Sequence, residues 1–155
     1  MRTSASTFGD FKCGHCHAIV TSAHFLSGVN NRNHCPYCLW SCHLDLYAAG
    51  DRLSACKGQM KPIGLTLKTG RNKYRRESGG ELMLIHQCVD CDTLSINRIA
   101  ADDDAATLRG IFRSSIEDQI HTFCAANGIT ALRSTDSAEL DRQLFGGVKT
   151  PVPVW

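Results

Sequence analysis

The stretch Arg32-Asn33-His34-Cys35-Pro36-Tyr37-Cys38 decides how the rest of the chain reads. A Cys-x-x-Cys with proline after its first cysteine makes a tight knuckle. Its two sulfurs converge on one point, and backbone N–H groups turn inward to support the sulfur charge. Tetrahedral zinc takes four such donors, so each knuckle is half of a site. Matching halves stand on either side, Cys13-Gly14-His15-Cys16 upstream and Cys88-Val89-Asp90-Cys91 downstream. One Cys-x-x-Cys is weak grounds for a metal; three in 155 residues are strong ones.

The whole composition fits that reading. Aromatic residues are 7% of the chain, too few for a large core in the cysteine-rich part, and a small domain short of core needs a staple. Nine cysteines could serve disulfides or metal. Their odd number and their clustering in pairs favour reduced thiols and a cytoplasmic protein. The opening Met1-Arg2-Thr3-Ser4-Ala5-Ser6-Thr7 has no apolar segment of signal-peptide type, and no apolar run approaches bilayer length. Residues 1–100 carry twelve Lys/Arg against seven Asp/Glu, and residues 101–155 carry five against eight. Eight of the nine cysteines precede residue 100. That shift places a zinc-binding domain at 9–101 and a helical extension at 102–147, with flexible tails at 1–8 and 148–155.

The local patterns give an α+β class: a small zinc-ribbon-like antiparallel β module with three knuckles, then a short α-helical segment. Ala18-Ile19-Val20 leaves the first knuckle as a strand, and Asn30-Asn31-Arg32-Asn33 reads as a turn. Ile63-Gly64-Leu65-Thr66-Leu67 alternates like a half-buried strand, and Glu81 to His86 answers it as an antiparallel hairpin. Leu94 to Ile99 is a further strand. Beyond Asp102-Asp103-Asp104, Leu108, Ile111, Phe112 and Ile116 fall at helical spacing. Ser114-x-x-Glu117 has the form of a capping box for a second helix with Ile116, Ile120, Phe123 and Cys124 on one face, stopped by Asn127-Gly128. Asp136-x-x-Glu139 starts a third, with Leu140 and Leu144 facing in and Gly146-Gly147 ending it.

Three knuckles supply six thiolates, too many for one zinc and two short for two. Cys13, Cys16, Cys35 and Cys38, with eighteen residues between the pairs, have zinc-ribbon spacing and form the first expected site. Cys88 and Cys91 need two more donors, for which the candidates are Cys56 and one of His43, His86 or Cys42. His43 with Cys56 is preferred, because Asp45 stands where a carboxylate could orient the imidazole. A swapped pairing of knuckles stays open, and His17 is an alternative ligand beside Cys16. Cys124, on an apolar helix face, reads as core.

Further motifs surround these residues: Ser41-Cys42-His43-Leu44-Asp45, Gly50-Asp51-Arg52, Cys56-x-Gly58-x-Met60-x-Pro62, His86-x-Cys88-x-x-Cys91 and Asn97-Arg98-Ile99-Ala100-Ala101-Asp102-Asp103. Together with Arg32-Asn33-His34-Cys35-Pro36 they resemble the RNHCP domain family over roughly residues 9–105. The resemblance implies a bacterial, cysteine-rich, zinc-binding domain with no established activity to carry over, and His43 and Cys56 match its pattern. Two positions depart from it. Cys42 stands in place of an apolar residue, and Asp92 in place of glycine, which is expected to loosen the last knuckle.

A four-thiolate site and a three-thiolate, one-imidazole site are both coordinatively closed, so two zinc ions are expected to be structural and function to lie on the surface. Lys68, Arg71, Lys73, Tyr74, Arg75 and Arg76 combine five cations with an aromatic, a composition suited to RNA or to the ribosome. The other reading of that run is a solvated loop. Other classes are a protein adaptor working through the helices or the Pro151-Val152-Pro153-Val154-Trp155 tail, a thiol redox switch, and a His-Asn-His-type nuclease using His43 or His34 with Asn33. For the redox switch, Cys88-Val89-Asp90-Cys91 is the least favoured knuckle, since acidic neighbours oppose a thiolate. No Ser/His/Asp set, P-loop or dinucleotide fingerprint occurs, so no enzyme is expected. Arg32, Asn33, Asp51, Arg52, Asn97 and Arg98 are left without a role, as bracing groups or as contacts.

Overall fold

A computed structural model describes residues 10–29, 32–47, 51, 53–68 and 80–145. The chain enters as a small antiparallel ladder, β1 (Phe11–Lys12) and β2 (Ile19–Val20), closed by the first Cys-x-x-Cys. One helical turn follows, α1 (His24–Ser27). Past the second Cys-x-x-Cys come β3 (Ser41–Cys42), β4 (Gln59–Lys68), β5 (Glu81–Cys88) and β6 (Leu94–Arg98), which form one antiparallel sheet in that order. The third Cys-x-x-Cys is the turn between β5 and β6. Asn30, Asn31, Gly50, Arg52, residues 69–79 and residues 146–155 lie outside the described residues, and so do the expectations placed on them.

The β4–β5 hairpin carries the sheet. Its register runs from Lys68 opposite Glu81 to Met60 opposite Cys88, with a shift between Pro62 and Gly64. Pro62 has no N–H for a ladder. It sits at that irregularity and beyond the reach of β3, which pairs only with Gln59 and Met60. The run Leu82-Met83-Leu84-Ile85 is buried throughout because helices cover both faces. On one face Leu65, Leu82 and Leu84 pack with Leu39, Leu108, Phe112, Leu132 and Leu140. On the other, Ile85 packs with Cys124 and Ala131, ringed by Ile63, Ile96 and Ile120.

The helices are α2 (Ala105–Ser114), α3 (Asp118–Ala126) and α4 (Ser137–Leu144), with a short 3-10 turn at Ser134–Asp136. Asp104 caps α2, its carboxylate accepting the Thr107 N–H at 2.8 Å. Leu108 and Phe112 of α2 and Leu140 of α4 lie against the leucine face, and α3 turns Ile120 and Cys124 to the opposite one. The apolar faces of the helices are therefore spent on the sheet. The chain crosses between the faces at Ser115, over Gly64, where a Cβ would stand 3.3 Å from the Ser115 Cβ. Asn127 ends α3.

The capping box expected at Ser114 does not form. Ser114 is the last residue of α2, and its hydroxyl donates back to the Gly110 and Ile111 carbonyls. Ser115 N–H still reaches the Ile111 carbonyl, which extends α2 across the expected boundary. The second helix begins only at Asp118, and Ile116 is left 41% exposed in the link. No helix of the described residues is long and apolar enough to cross a membrane.

Candidate metal centres

The three Cys-x-x-Cys turns share one backbone scheme. The N–H of each first cysteine donates to the carbonyl five residues on: Cys13 to Ala18, Cys35 to Trp40 and Cys88 to Thr93, at 2.8–2.9 Å. The residue after each second cysteine donates back to the first cysteine's carbonyl, and that residue (His17, Leu39 or Asp92) is left-handed, with φ of 66°, 66° and 61°. Lys57, after Cys56, is the fourth such non-glycine residue among those described, with φ of 54°. The looser turn expected at Asp92 is not observed. Aspartate tolerates the left-handed region, and the Asp92 N–H bond to the Cys88 carbonyl is 3.0 Å, like its counterparts.

These turns collect two groups of four donors, and in each group the ligand atoms lie within 4.8 Å of one another. One holds Cys13, Cys16, Cys35 and Cys38; the other holds His43, Cys56, Cys88 and Cys91. In the four-thiol group Cys13 Sγ is 3.6 Å from Cys38 Sγ, and Cys16 Sγ is 3.6 Å from Cys35 Sγ. In the His43 group Cys56 and Cys88 sulfurs are 3.6 Å apart, and Cys91 Sγ is 3.4 Å from His43 Nδ1. A disulfide needs about 2.0 Å, so these are not bonded pairs. Donors about 2.3 Å from a common tetrahedral centre stand about 3.8 Å apart, close to the observed spacing. Both groups fit a metal ion.

Backbone and hydroxyl donors already favour charge on the sulfurs. His15 and Cys16 N–H groups lie 3.3 and 3.4 Å from Cys13 Sγ, and Tyr37 N–H lies 3.4 Å from Cys35 Sγ. Burial pushes the Cys13 thiol up, but the N–H groups of Cys16 and His15 and the neighbouring thiols outweigh it and hold it at about 7. The Thr93 hydroxyl and N–H bring Cys91 down to about 6. The lowering at that knuckle comes from Thr93 and the neighbouring sulfurs, acting against the acidic neighbours expected to oppose a thiolate there. At Cys56 the Gly58 N–H lowers the thiol, but the Cys88 and Cys91 sulfurs more than offset it and raise it to about 11. Burial raises the Cys35 and Cys38 thiols as the neighbouring sulfurs raise Cys56, and a divalent cation between them would relieve that resistance to charge.

Gly58 is part of the His43 cradle. Its carbonyl accepts the His43 N–H at 2.8 Å. A Cβ there would collide with Asp90 Oδ2 and stand 3.0 Å from Cys88 Sγ. The exposed Asp90 can swing aside, so Gly58→Ala is expected to act through the Cys88 sulfur, weakening metal binding by this group and leaving the four-thiol group loaded. Elemental analysis of the purified variant, reading fewer than two ions per chain, checks it.

The alternative ligands have other employment. His86 is fully buried, its Nε2–H donating to the Leu39 carbonyl at 2.7 Å while Nδ1 accepts from Asn97 at 2.8 Å. Burial, then the nearby His34, hold its pKa down at about 3, so it stays neutral. Cys42 donates to the Lys57 carbonyl at 3.5 Å and belongs to neither donor group, and His17 is likewise outside both. Cys124 is fully buried beside Ile85.

Most of the residues without a sequence-derived role prove to be bracing. Arg32 is buried and forks onto Asp102, with Nη1–Oδ2 at 2.9 Å and Nη2–Oδ1 at 2.8 Å. It also reaches Asp103 at 3.4 Å and the His34 and Thr21 carbonyls. His34 Nε2 is 2.7 Å from Asp103 Oδ2, which also accepts the Ala100 N–H. Asn33 donates to Asp45, and the Pro36 carbonyl accepts the Asp104 N–H. The 32–36 signature and the 97–104 motif are two halves of one clasp. Asp51 gathers the N–H groups of Leu46, Tyr47 and Leu53. Arg98 pairs with Glu81 on the surface. Of the basic stretch, only Lys68 is described, exposed at the end of β4, whereas Arg71, Lys73, Tyr74, Arg75 and Arg76 lie outside the described residues.

Fold and site together define an α+β protein with two groups of four Cys/His donors, each of which could hold a metal ion. The family model for the RNHCP domain matches residues 8–109, and the chain belongs to that family. No curated protein and no solved structure matches the chain.

Proposed function

We propose that both groups hold structural zinc and that the chain is a non-catalytic, zinc-ribbon-like module that binds RNA in the cytoplasm. The closed donor sets carry the first half of this reading. Four protein ligands complete a tetrahedral ion, leaving no position for water or substrate. Four thiolates, or three thiolates with one imidazole, suit zinc above other common ions. When bound, the ion supplies charge and cross-linking only. This chain's residues converge on it and screen it: Cys13, Cys35, His43 and Cys88 are buried. The groups available for a His-Asn-His nuclease are otherwise engaged, with His34 on Asp103, Asn33 on Asp45 and His43 in the second donor group. All nine cysteines are free thiols, which supports a reducing compartment.

The RNA half rests on the composition of 68–76, within the stretch of sequence between the paired residues Lys68 and Glu81. The metal groups sit toward the other end of that hairpin, where Met60 faces Cys88. Zinc would thus hold the end of the strands opposite Lys68 and Glu81. Fluorescence anisotropy with a single-stranded RNA tests this. Replacing Lys73, Arg75 and Arg76 by alanine together is expected to weaken binding at least tenfold and to lower the salt slope by about 2. Zinc content should stay at two ions. Unchanged affinity would sink the RNA reading and leave the metal reading intact.

A further inference from the structure

The two donor groups differ in what solvent can reach. In the four-thiol group only Cys16 is exposed; Cys13 and Cys35 are buried and Cys38 is half-buried. In the His43 group two of the three sulfurs, those of Cys56 and Cys91, are exposed. We propose that the His43 group is a peroxide-reactive site, at which Cys91 and Cys56 are oxidised to a disulfide and the ion is released while the four-thiol group keeps its own. The proposal rests on the zinc reading above.

Local structure sets the pairing. Cys88 ends β5 and is fully buried beneath Gly58, so peroxide meets the exposed Cys91 and Cys56 sulfurs rather than its own. Cys56 lies on an irregular segment before β4, where its N–H is held by the Ser54 hydroxyl at 3.3 Å. Its sulfur starts within 4.8 Å of Cys91 Sγ and must close to about 2.0 Å. In the other group, exposed Cys16 has Cys35 at 3.6 Å, but Cys35 is buried and its N–H is tied to the Trp40 carbonyl. Proximity exists there without freedom to move.

The chemistry balances with hydrogen peroxide as the oxidant. The Cys91 thiolate attacks one peroxide oxygen; an S–O bond forms, the O–O bond breaks, and hydroxide leaves. The Cys56 thiolate then attacks the Cys91 sulfur; the S–S bond forms, the S–O bond breaks, and a second hydroxide leaves. Two thiolates lose two electrons, one peroxide gains them, and two protons from solvent convert the hydroxides to water. His43 and Cys88 remain as donors, half of what a tetrahedral ion needs.

The test uses the full-length protein after elemental analysis has shown two zinc ions per chain. Hydrogen peroxide is titrated against it in the presence of a chromogenic zinc chelator, and the product is alkylated and mapped by mass spectrometry. Release of one ion per chain with a Cys56–Cys91 disulfide is expected, reversed by dithiothreitol and added zinc. A Cys42→Ser, Cys124→Ser variant should release the same single ion. Simultaneous loss of both ions, a disulfide among Cys13, Cys16, Cys35 and Cys38, a Cys88–Cys91 disulfide, or no release at a tenfold excess of peroxide each overturns the proposal. In those cases the zinc reading stands. A protein with no zinc before oxidation overturns both.

Discussion

Exhaustive chelation should dismantle the β1–β2 end of the molecule and leave the sheet and its helices folded. The buried cluster at that end consists of Cys13, Val20 and Cys35, with Phe11, Ala18 and Cys38 at its margin. Half of those residues are metal donors, so little apolar surface remains to hold β1 and β2 without the ion. A structural zinc of this kind carries on the order of 10 kcal/mol of folding free energy. The sheet is differently placed. Its leucine cluster buries Leu39, Leu65, Leu82, Leu84, Leu108, Phe112, Leu132 and Leu140. Each such side chain contributes about 2 kcal/mol against exposure. Hydrogen exchange on the chelated protein checks this. Amides of Cys13, His17 and Cys35 should lose protection, and those of Leu84, Ile85 and Phe112 should keep it. A single global unfolding on chelation would show that the core does not stand without the ions.

Asp103→Ala should be as damaging as truncating a core leucine, costing about 3–5 kcal/mol. Asp103 has a fully buried side chain and meets three partners at once: the Arg32 guanidinium, the His34 ring and the Ala100 N–H. Its loss leaves the buried Arg32 with Asp102 as its one carboxylate partner among the described residues, and His34 Nε2 without its acceptor. Chemical denaturation of the zinc-loaded variant reads the cost. Zinc content at low denaturant should remain at two ions, which separates bracing from ligation. A loss below about 1 kcal/mol would mean that Asp102 alone satisfies Arg32.

The hairpin was legible in the sequence because period-two alternation around Leu65 and the buried run at Leu82 to Ile85 are local signals. The Cys-x-x-Cys turns were legible for the same reason, since their backbone bonds and both sulfurs fall within a few consecutive residues. Which histidine joins Cys88 and Cys91 was not readable from spacing. His86 is nearer in sequence, but strand alternation turns it inward to the Leu39 carbonyl, while β3 delivers His43 beside Gly58. The clasp was also hidden. Arg32 and Asp102 are 70 residues apart, and only the three-dimensional path brings them together. The false capping box at Ser114 shows the opposite error, a correct local signature overruled when the preceding helix ran further than its pattern suggested.

The order of the donors along the chain bears on synthesis. The four-thiol group closes over a separation of 25 residues, from Cys13 to Cys38, and is complete before any strand of the main sheet beyond it exists. The His43 group needs Cys91, 48 residues past His43, so it must wait for β5 to leave the ribosome. At about 5–20 residues per second that delay is several seconds. During it Cys56 is a free thiol with only His43 of its own site beside it, since Cys88 and Cys91 are still to come. Arg32 waits longer still, for Asp102. The nascent chain therefore completes its donor groups in sequence, first the four-thiol group and then the His43 group, and the clasp between residues 32 and 102 is the last of the three to shut.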